Sequence, residues 1–466
     1  MESAINISQG NKAHKSGTEA LKTFQRVTFC LLTITLLLAP TLAQNPKNGT
    51  NPPLFPFKPT TGYIRIYPEG DNRMFFWLYK SKKSPKTAPL GIWIEGGPGC
   101  GGSGSQFKLM GPFYIANRTQ KRPLLRNDSW NENLNLLFVD QPLGVGFSTT
   151  TKERLVKTPE DAGGQILLFF EGFFEKFPEY KGREIYLLGQ SYGGHLVPYA
   201  AYALYYSQNP DIRLRGVALG NPFWDPKNLF TMLPDFAYAN RHYTGFSNTT
   251  LKAQIIKKTD LCAHFTNTQK SSPLYTTNPR KVCKGTQAEI TTIAHKFNPK
   301  FDHYYLPSNH KMNKSYEAYL NKKDVQEYIG VQNITFTDCT GWFSSYFSPI
   351  DGVVESQKYL IPVLNDPEMK VLVYDGDQDY LCFYTYVEKS LSELDWVGRS
   401  GWAGKELEKC KYGLCKQVRN LRYLRVAGSG HMMPFYNLSL SLEMINEFLD
   451  WDGKSDFGGE NEVKTS

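Results

Sequence analysis

No Cys-x-x-Cys pair occurs anywhere in the 466 residues, which removes a thioredoxin motif and a zinc ribbon from consideration. No Gly-Lys-Ser/Thr triplet follows the glycine-rich stretch at 96–101, so a phosphate-cradling loop is unsupported as well. Basic residues form no stripe interleaved with aromatics. The formal charge of +9 is scattered along the chain, and a nucleic-acid partner is not expected. Long apolar runs are scarce. One, VTFCLLTITLLLAPTLA at 27–43, is broken by Pro40 and falls short of the ~20 apolar residues of a membrane span. Mean hydropathy is −0.42, which excludes a polytopic membrane protein. There is no internal repeat or low-complexity segment, and only 8 histidines. Neither a metal nor a cofactor is expected.

What remains is ordinary globular composition, with 41% hydrophobic and 21% charged residues. The aromatic share of 14% reads as packing material. The length suits two or three domain-sized units, or one large α/β domain carrying an insertion. Lys22 and Arg26 precede the apolar run, and Thr41 and Ala43 place small residues just before Gln44. That is the pattern of a secretory signal over residues 1–43, with a signal anchor as the rival reading because the polar leader is long. Seven Asn-x-Ser/Thr sequons follow, at Asn48, Asn117, Asn127, Asn248, Asn313, Asn333 and Asn437, as glycosylation in a lumenal compartment would require. Seven cysteines remain after Cys30, and an odd count leaves one thiol unpaired in an oxidising compartment.

After a Pro- and Asn-rich arm, strands are expected at 63–67 and 74–79, and a third at 90–95 running into Gly96-Gly97-Pro98-Gly99. The apolar run LNLLFVD at 134–140 reads as a buried parallel strand. Thr158 with Pro159 starts a helix that ends before Pro178. A strand at 184–188, a helix at 194–206 and a strand at 214–219 follow. Alternation lapses over 226–330 and resumes with strands at 370–374 and 421–426 and a closing helix at 438–451. The expected organisation is a signal at 1–43, core at 44–225, an inserted cap at 226–355, core again at 356–455, and a polar tail at 456–466. Alternating strands and helices predict a mostly parallel sheet wound on both faces.

Gly189-Gln190-Ser191-Tyr192-Gly193 matches Gly-x-Ser-x-Gly between a strand and a helix, the context of a nucleophile elbow. A serine needs a base. In the order Ser, Asp, His, His431 is the one histidine that follows the acidic candidates, and it lies in a glycine-rich loop beyond a strand. His195 sits on the helix past the elbow and reads as structural. The acid comes from Asp375, Asp377 or Asp379, and position alone does not choose among them. Backbone N–H donors for an oxyanion are expected from Tyr192, after the nucleophile, and from the Gly96–Gly99 loop.

WIEGGPGC (93–100), GPF (111–113), LLFVDQPLGVGFS (136–148), GQSYGGHLVP (189–198), LGNP (219–222), DVQEYIGV (324–331), VLVYDGDQDYLC (371–382) and GHMMP (430–434) occur in this order. Together they resemble the serine carboxypeptidases over about residues 60–450. The resemblance implies an α/β-hydrolase fold with an inserted cap, acting on free C-termini at acid pH. It implies Ser191 as nucleophile, His431 as base, Asp379 as acid, and Gly97 and Tyr192 as the oxyanion hole. It also implies a Cys100–Cys339 bridge, local pairs Cys262–Cys283 and Cys410–Cys415, a free Cys382 beside the substrate, and Met432 in the substrate pocket. Peptide or protein C-termini are the implied partners. Stable membrane insertion after signal cleavage is not expected, and a homodimer is left open. The implied location is the secretory pathway, in a lysosome or vacuole or outside the cell.

The sequence departs from the family where the terminal carboxylate is read. The family's Asn, Glu and Glu are here Glu95, Gln190 and Leu109, with Gly96 beside them. A carboxylic acid donates to a carboxylate only when protonated. Protonated Glu95 and Gln190 would then offer two donors, and turnover of a free C-terminus should fall as Glu95 ionises. The alternatives are an acyltransferase or esterase on the same scaffold, and a non-catalytic binding protein.

Overall fold

The computed structural model describes residues 53–246, 279–307, 312–341 and 354–453, with Ser455 and scattered residues between 249 and 264. The expected signal at 1–43, Asn48, Asn248 and the polar tail at 456–466 lie outside the described residues. One sheet of ten strands organises the chain. In chain order these are β1 (Thr60–Arg65), β2 (Arg73–Tyr79), β3 (Leu90–Ile94), β4 (Asn135–Val139), β5 (Glu184–Gln190), β6 (Arg213–Gly220), β7 (Lys370–Gly376), β8 (Glu408–Cys410), β9 (Gly413–Val418) and β10 (Leu421–Val426). Across the sheet they run β1-β2-β4-β3-β5-β6-β7-β10-β9-β8. The centre, from β4 to β10, is parallel. The edges are antiparallel.

Burial explains the central strands. Every residue of β3, β4 and β7 is buried, as expected where helices cover both faces of a parallel sheet. Helix α1 spans Gly102–Lys108, α2 Pro159–Lys176, α3 Gly193–Tyr205, α4 Pro226–Ala239, α5 Pro279–Phe297, α6 Tyr384–Glu393 and α7 Leu438–Asp450. α2 begins where the sequence predicts. The Thr158 side chain accepts from Asp161 N, Asp161 answers to the cap backbone, and Pro159 occupies the first turn. Its Ile166, Phe169, Phe170 and Phe173 recur at helical spacing and are buried in one hydrophobic cluster.

Residues 53 onward form one unit. Described residues of segment 226–355, expected as an inserted cap, enter the same cluster as the core, among them Leu229, Phe236, Ile290 and Phe301. Phe236 of α4 stacks on Phe383, just before α6, with centroids 4.3 Å apart. The hairpin β8–β9 is a feature that the sequence reading lacks. Its strands are short, partly exposed and rich in lysine, as suits an edge guarded against further pairing, and those charges hide the period-two pattern. No helix among the described residues is long and apolar enough to cross a membrane.

Candidate active site

Ser191 follows β5 directly and has φ 56°, a left-handed conformation that a residue with a Cβ adopts only when its surroundings impose it. Here they do. Its N–H donates to Gly220 O at 3.1 Å, and its carbonyl accepts from Gly194 N and Phe223 N, each at 2.8 Å. The chain turns at once into α3. The loop after β3 lies against this elbow. A Cβ on Gly96 would stand 2.7 Å from Ser191 Cβ and 2.9 Å from Tyr192 N, so only glycine permits the approach. Gly97 next to it has φ +118°. The far end of this loop is tied by the Cys100–Cys339 disulfide, by Thr340 N to Gly99 O at 2.8 Å and by Gly101 N to Asp338 O at 3.1 Å.

The three acids at the end of β7 and in the loop after it separate clearly. Asp379 Oδ2 lies 2.7 Å from His431 Nδ1. The same oxygen accepts from Asn221 Nδ2 at 2.9 Å and Cys382 N at 3.1 Å, and Oδ1 accepts from Leu381 N at 2.8 Å. Asp377 accepts from Gly428 N at 2.8 Å and serves a turn. Asp375 is a fully buried strand residue, and burial pushes its carboxyl well above the usual range. With four donors around Asp379, His431 carries its proton on Nδ1. His431 Nε2 is buried and has no partner among the described residues, so its lone pair is available to a proton donor. His431 N donates to Tyr304 O at 2.8 Å, and the two rings are 5.2 Å apart. Asn221, φ 40°, accepts from Gly376 N at 3.1 Å through its side chain. It thereby joins β6, β7 and the acid. Neither Asn221 nor Tyr304 was assigned a role from sequence. Asn221 stands within the LGNP motif, which is the signal that could have found it. His195 is fully buried on α3, as read.

A cavity of about 90 Å³ opens on Ser191 and Tyr192. Phe223, Phe230, Leu381 and Cys382 wall it, and Gln287 reaches it from α5, with its Nε2 donating to Leu381 O at 3.2 Å. Cys382 is the unbridged cysteine among the described residues. Burial, reinforced by Asp379 and Asp375, pushes its thiol far up, so it is not a thiolate. Met432 is buried but packs in the second core cluster and does not line this cavity. A larger hollow lined by Glu184, Arg213 and Arg215 opens at the starts of β5 and β6, away from the carboxyl ends where such sheets bind ligands.

The altered trio is spread over three elements: Glu95 follows β3, Gln190 ends β5 and Leu109 follows α1. Glu95 is 6% exposed, Gln190 2% and Leu109 1%. Glu95 Oε1 accepts from Gly96 N at 2.9 Å and Gln190 Nε2 at 3.2 Å. Its Oε2 accepts from Trp93 Nε1 at 3.1 Å and from Ser105 Oγ. The expectation that Glu95 presents a donor therefore meets an arrangement in which both its oxygens already accept. Lys108, one turn beyond Ser105 on α1, pairs with Asp338 Oδ2 at 3.0 Å, both side chains being buried. Burial works against that ammonium, but Asp338 and Glu95 together hold it above the ordinary lysine range.

The pairs Cys262–Cys283 and Cys410–Cys415 are bridged, and the second closes the β8–β9 hairpin. Asn117, Asn127, Asn313, Asn333 and Asn437 are all exposed.

A serine on a strained turn after a central parallel strand, with His–Asp on the loops of two later strands, defines an α/β-hydrolase. The family model described as serine carboxypeptidase matches residues 46–451, and the chain belongs to that family. It is 27% identical over 411 residues to the pheromone-processing carboxypeptidase KEX1 of Puccinia graminis f. sp. tritici, covering 83% of this chain and 61% of that protein. It is 28% identical to carboxypeptidase Y of Schizosaccharomyces pombe, covering 84% of this chain and 41% of that one. The chain thus spans less than two thirds of the length of these relatives. The crystal structure of Kex1(delta)p, a prohormone-processing carboxypeptidase from Saccharomyces cerevisiae, superposes with a TM-score of 0.70 at 21% identity, covering 84% of this chain and 90% of that one.

Proposed function

We propose that the chain is a serine-type carboxypeptidase that releases C-terminal residues from peptides. The observation that carries this is the buried Asp379–His431 pair, at 2.7 Å, on the same sheet edge as the Ser191 elbow. Ser191 Oγ attacks the carbonyl of the last peptide bond while His431 Nε2 takes its proton. The N–H groups of Gly97 and Tyr192 stabilise the oxyanion. The tetrahedral intermediate collapses, the C–N bond breaks, and His431 returns the proton to the leaving amine. Water then attacks the acyl-enzyme by the same base catalysis. Asp379 keeps the imidazole in the productive tautomer and stabilises imidazolium.

Membership of the family and the printed activities of its relatives support the reaction class. Three disulfides and the exposed sequons support an oxidising, secretory compartment, whether lysosomal, vacuolar or extracellular. An acyltransferase or esterase is the second reading, favoured by the replacement of the carboxylate-reading residues with Glu95, Gln190 and Leu109. The test is a blocked dipeptide offered to wild type and Ser191→Ala near pH 4.5 and pH 7. Loss of a nucleophile should cost about 10⁴- to 10⁶-fold in kcat. Activity of the variant within about tenfold of wild type would sink the assignment.

A further inference from the structure

β3 and β5 are parallel neighbours, with Ile94 opposite Gly189. Glu95, just after β3, and Gln190, the last residue of β5, therefore stand side by side, each one step from the oxyanion loop or the nucleophile. A carboxylate has about four lone-pair positions, and those of Glu95 are filled. Trp93 Nε1 and Gly96 N can only donate, so each Glu95 oxygen is committed as an acceptor. Gln190 must then turn its amide toward Glu95, because its carbonyl there would set acceptor against acceptor. The Gln190 Oε1 thus faces away from Glu95, and it is buried with no partner among the described residues. Leu109 offers nothing polar. The charged groups nearby are Lys108 and its partner Asp338; Tyr316 and Tyr374, which feel the charge of Glu95, are kept neutral by burial. One cation already stands against two carboxylates, and a third anion would meet repulsion and an orphan acceptor.

Building on the carboxypeptidase reading, we propose that this end-recognition site prefers a neutral, hydrogen-donating C-terminus, a carboxamide, over a free carboxylate, with the carbonyl of Gln190 as the specificity-determining acceptor. The reaction releases an amino-acid amide: the Ser191 Oγ–C bond forms, the peptide C–N bond breaks, and the amine of the leaving amide takes the proton from His431.

The test offers purified protein the same N-blocked dipeptide as acid and as carboxamide at about pH 7, with release of the amino acid or its amide quantified. Wild type should favour the carboxamide by about tenfold or more in kcat/KM, as buried polar complementarity discriminates strongly. The double variant Glu95→Asn with Gln190→Glu, assayed near pH 5 with Ser191 labelling by a fluorophosphonate as the check on folding, should reverse the preference. A wild-type ratio of one or below, or a ratio unmoved in the labelled double variant, overturns the inference alone. Hydrolysis of neither substrate by wild type overturns the carboxypeptidase reading, and this inference with it.

Discussion

Asp379 and Glu95 are both buried carboxylates at the carboxyl ends of parallel strands, and each accepts four hydrogen bonds. What differs is the nature of the donors. Around Glu95 stand an indole, a backbone amide, a hydroxyl and a carboxamide, none of which changes charge near neutral pH. Around Asp379 stand two backbone amides, the Asn221 amide and His431, and on the proposed mechanism the last gains and loses a proton in each cycle. The same count of donors therefore gives one acid an imidazole as partner and the other only groups of fixed charge. On the proposed mechanism the two acids then serve different tasks, chemistry and specificity, so one can change while the other stays.

The largest test of that division is Asp379→Asn. The substitution keeps the shape but lets Nδ1 of His431 accept instead of donate, and kcat should fall by about 10⁴-fold with little change in Tm. An equal loss from Glu95→Gln would erase the distinction between the two acids.

Lys108→Met comes next. It strands Asp338 as a buried, unpaired carboxylate and should cost about 3–5 kcal/mol of stability, read by denaturant titration. Lys108→Met with Asp338→Asn should recover much of it, since the penalty belongs to the orphan charge.

The pH dependence of stability follows. Asp140, which accepts from Ser103 N at 2.8 Å at the start of α1 and from Phe147 N at 2.9 Å, is pushed up to about 6, mainly by burial, from an ordinary 3.8. Folded protein holds this proton more tightly than the unfolded chain does. Its contribution is therefore most favourable below about pH 4 and is lost as pH rises to about 6, a change on the order of 3 kcal/mol. Burial raises Asp225 and Asp377 in the same direction. Unfolding free energies across pH 4–7 should show the decline, and Asp140→Asn should flatten it.

The smallest effect is expected far from the cleft. Thr158→Ala removes the cap of α2 and should cost about 1 kcal/mol with kcat unchanged. A change in kcat would show that the helix behind the sheet is coupled to the site.

Much of this was legible along the chain. The strand–turn–helix setting of Ser191, the parallel strands and the capping of α2 are written in short windows, because strand burial, turns and caps depend on neighbours within a few residues. The family resemblance added Asp379 over Asp375 and Asp377 and the disulfide partners, which the windows alone left open. Other features needed distant residues to meet. Asn221 reaches Asp379 across 158 positions, and Tyr304 from the insertion receives His431 N. The hairpin at 408–418 was hidden because its exposed edge carries charge rather than alternation. Above all, the orientation of Gln190 was undecidable from its letter. An amide shows either its donor or its acceptor to a ligand, and the choice was made by Glu95, brought alongside by the pairing of two strands nearly a hundred residues apart. The sequence by itself determined that a serine stands on a sharp strand-to-helix turn of this sheet. Which hydrogen-bonding face the site turns to a substrate was decided only by tertiary structure, because hydrogen-bond direction is settled by the partner and not by the residue.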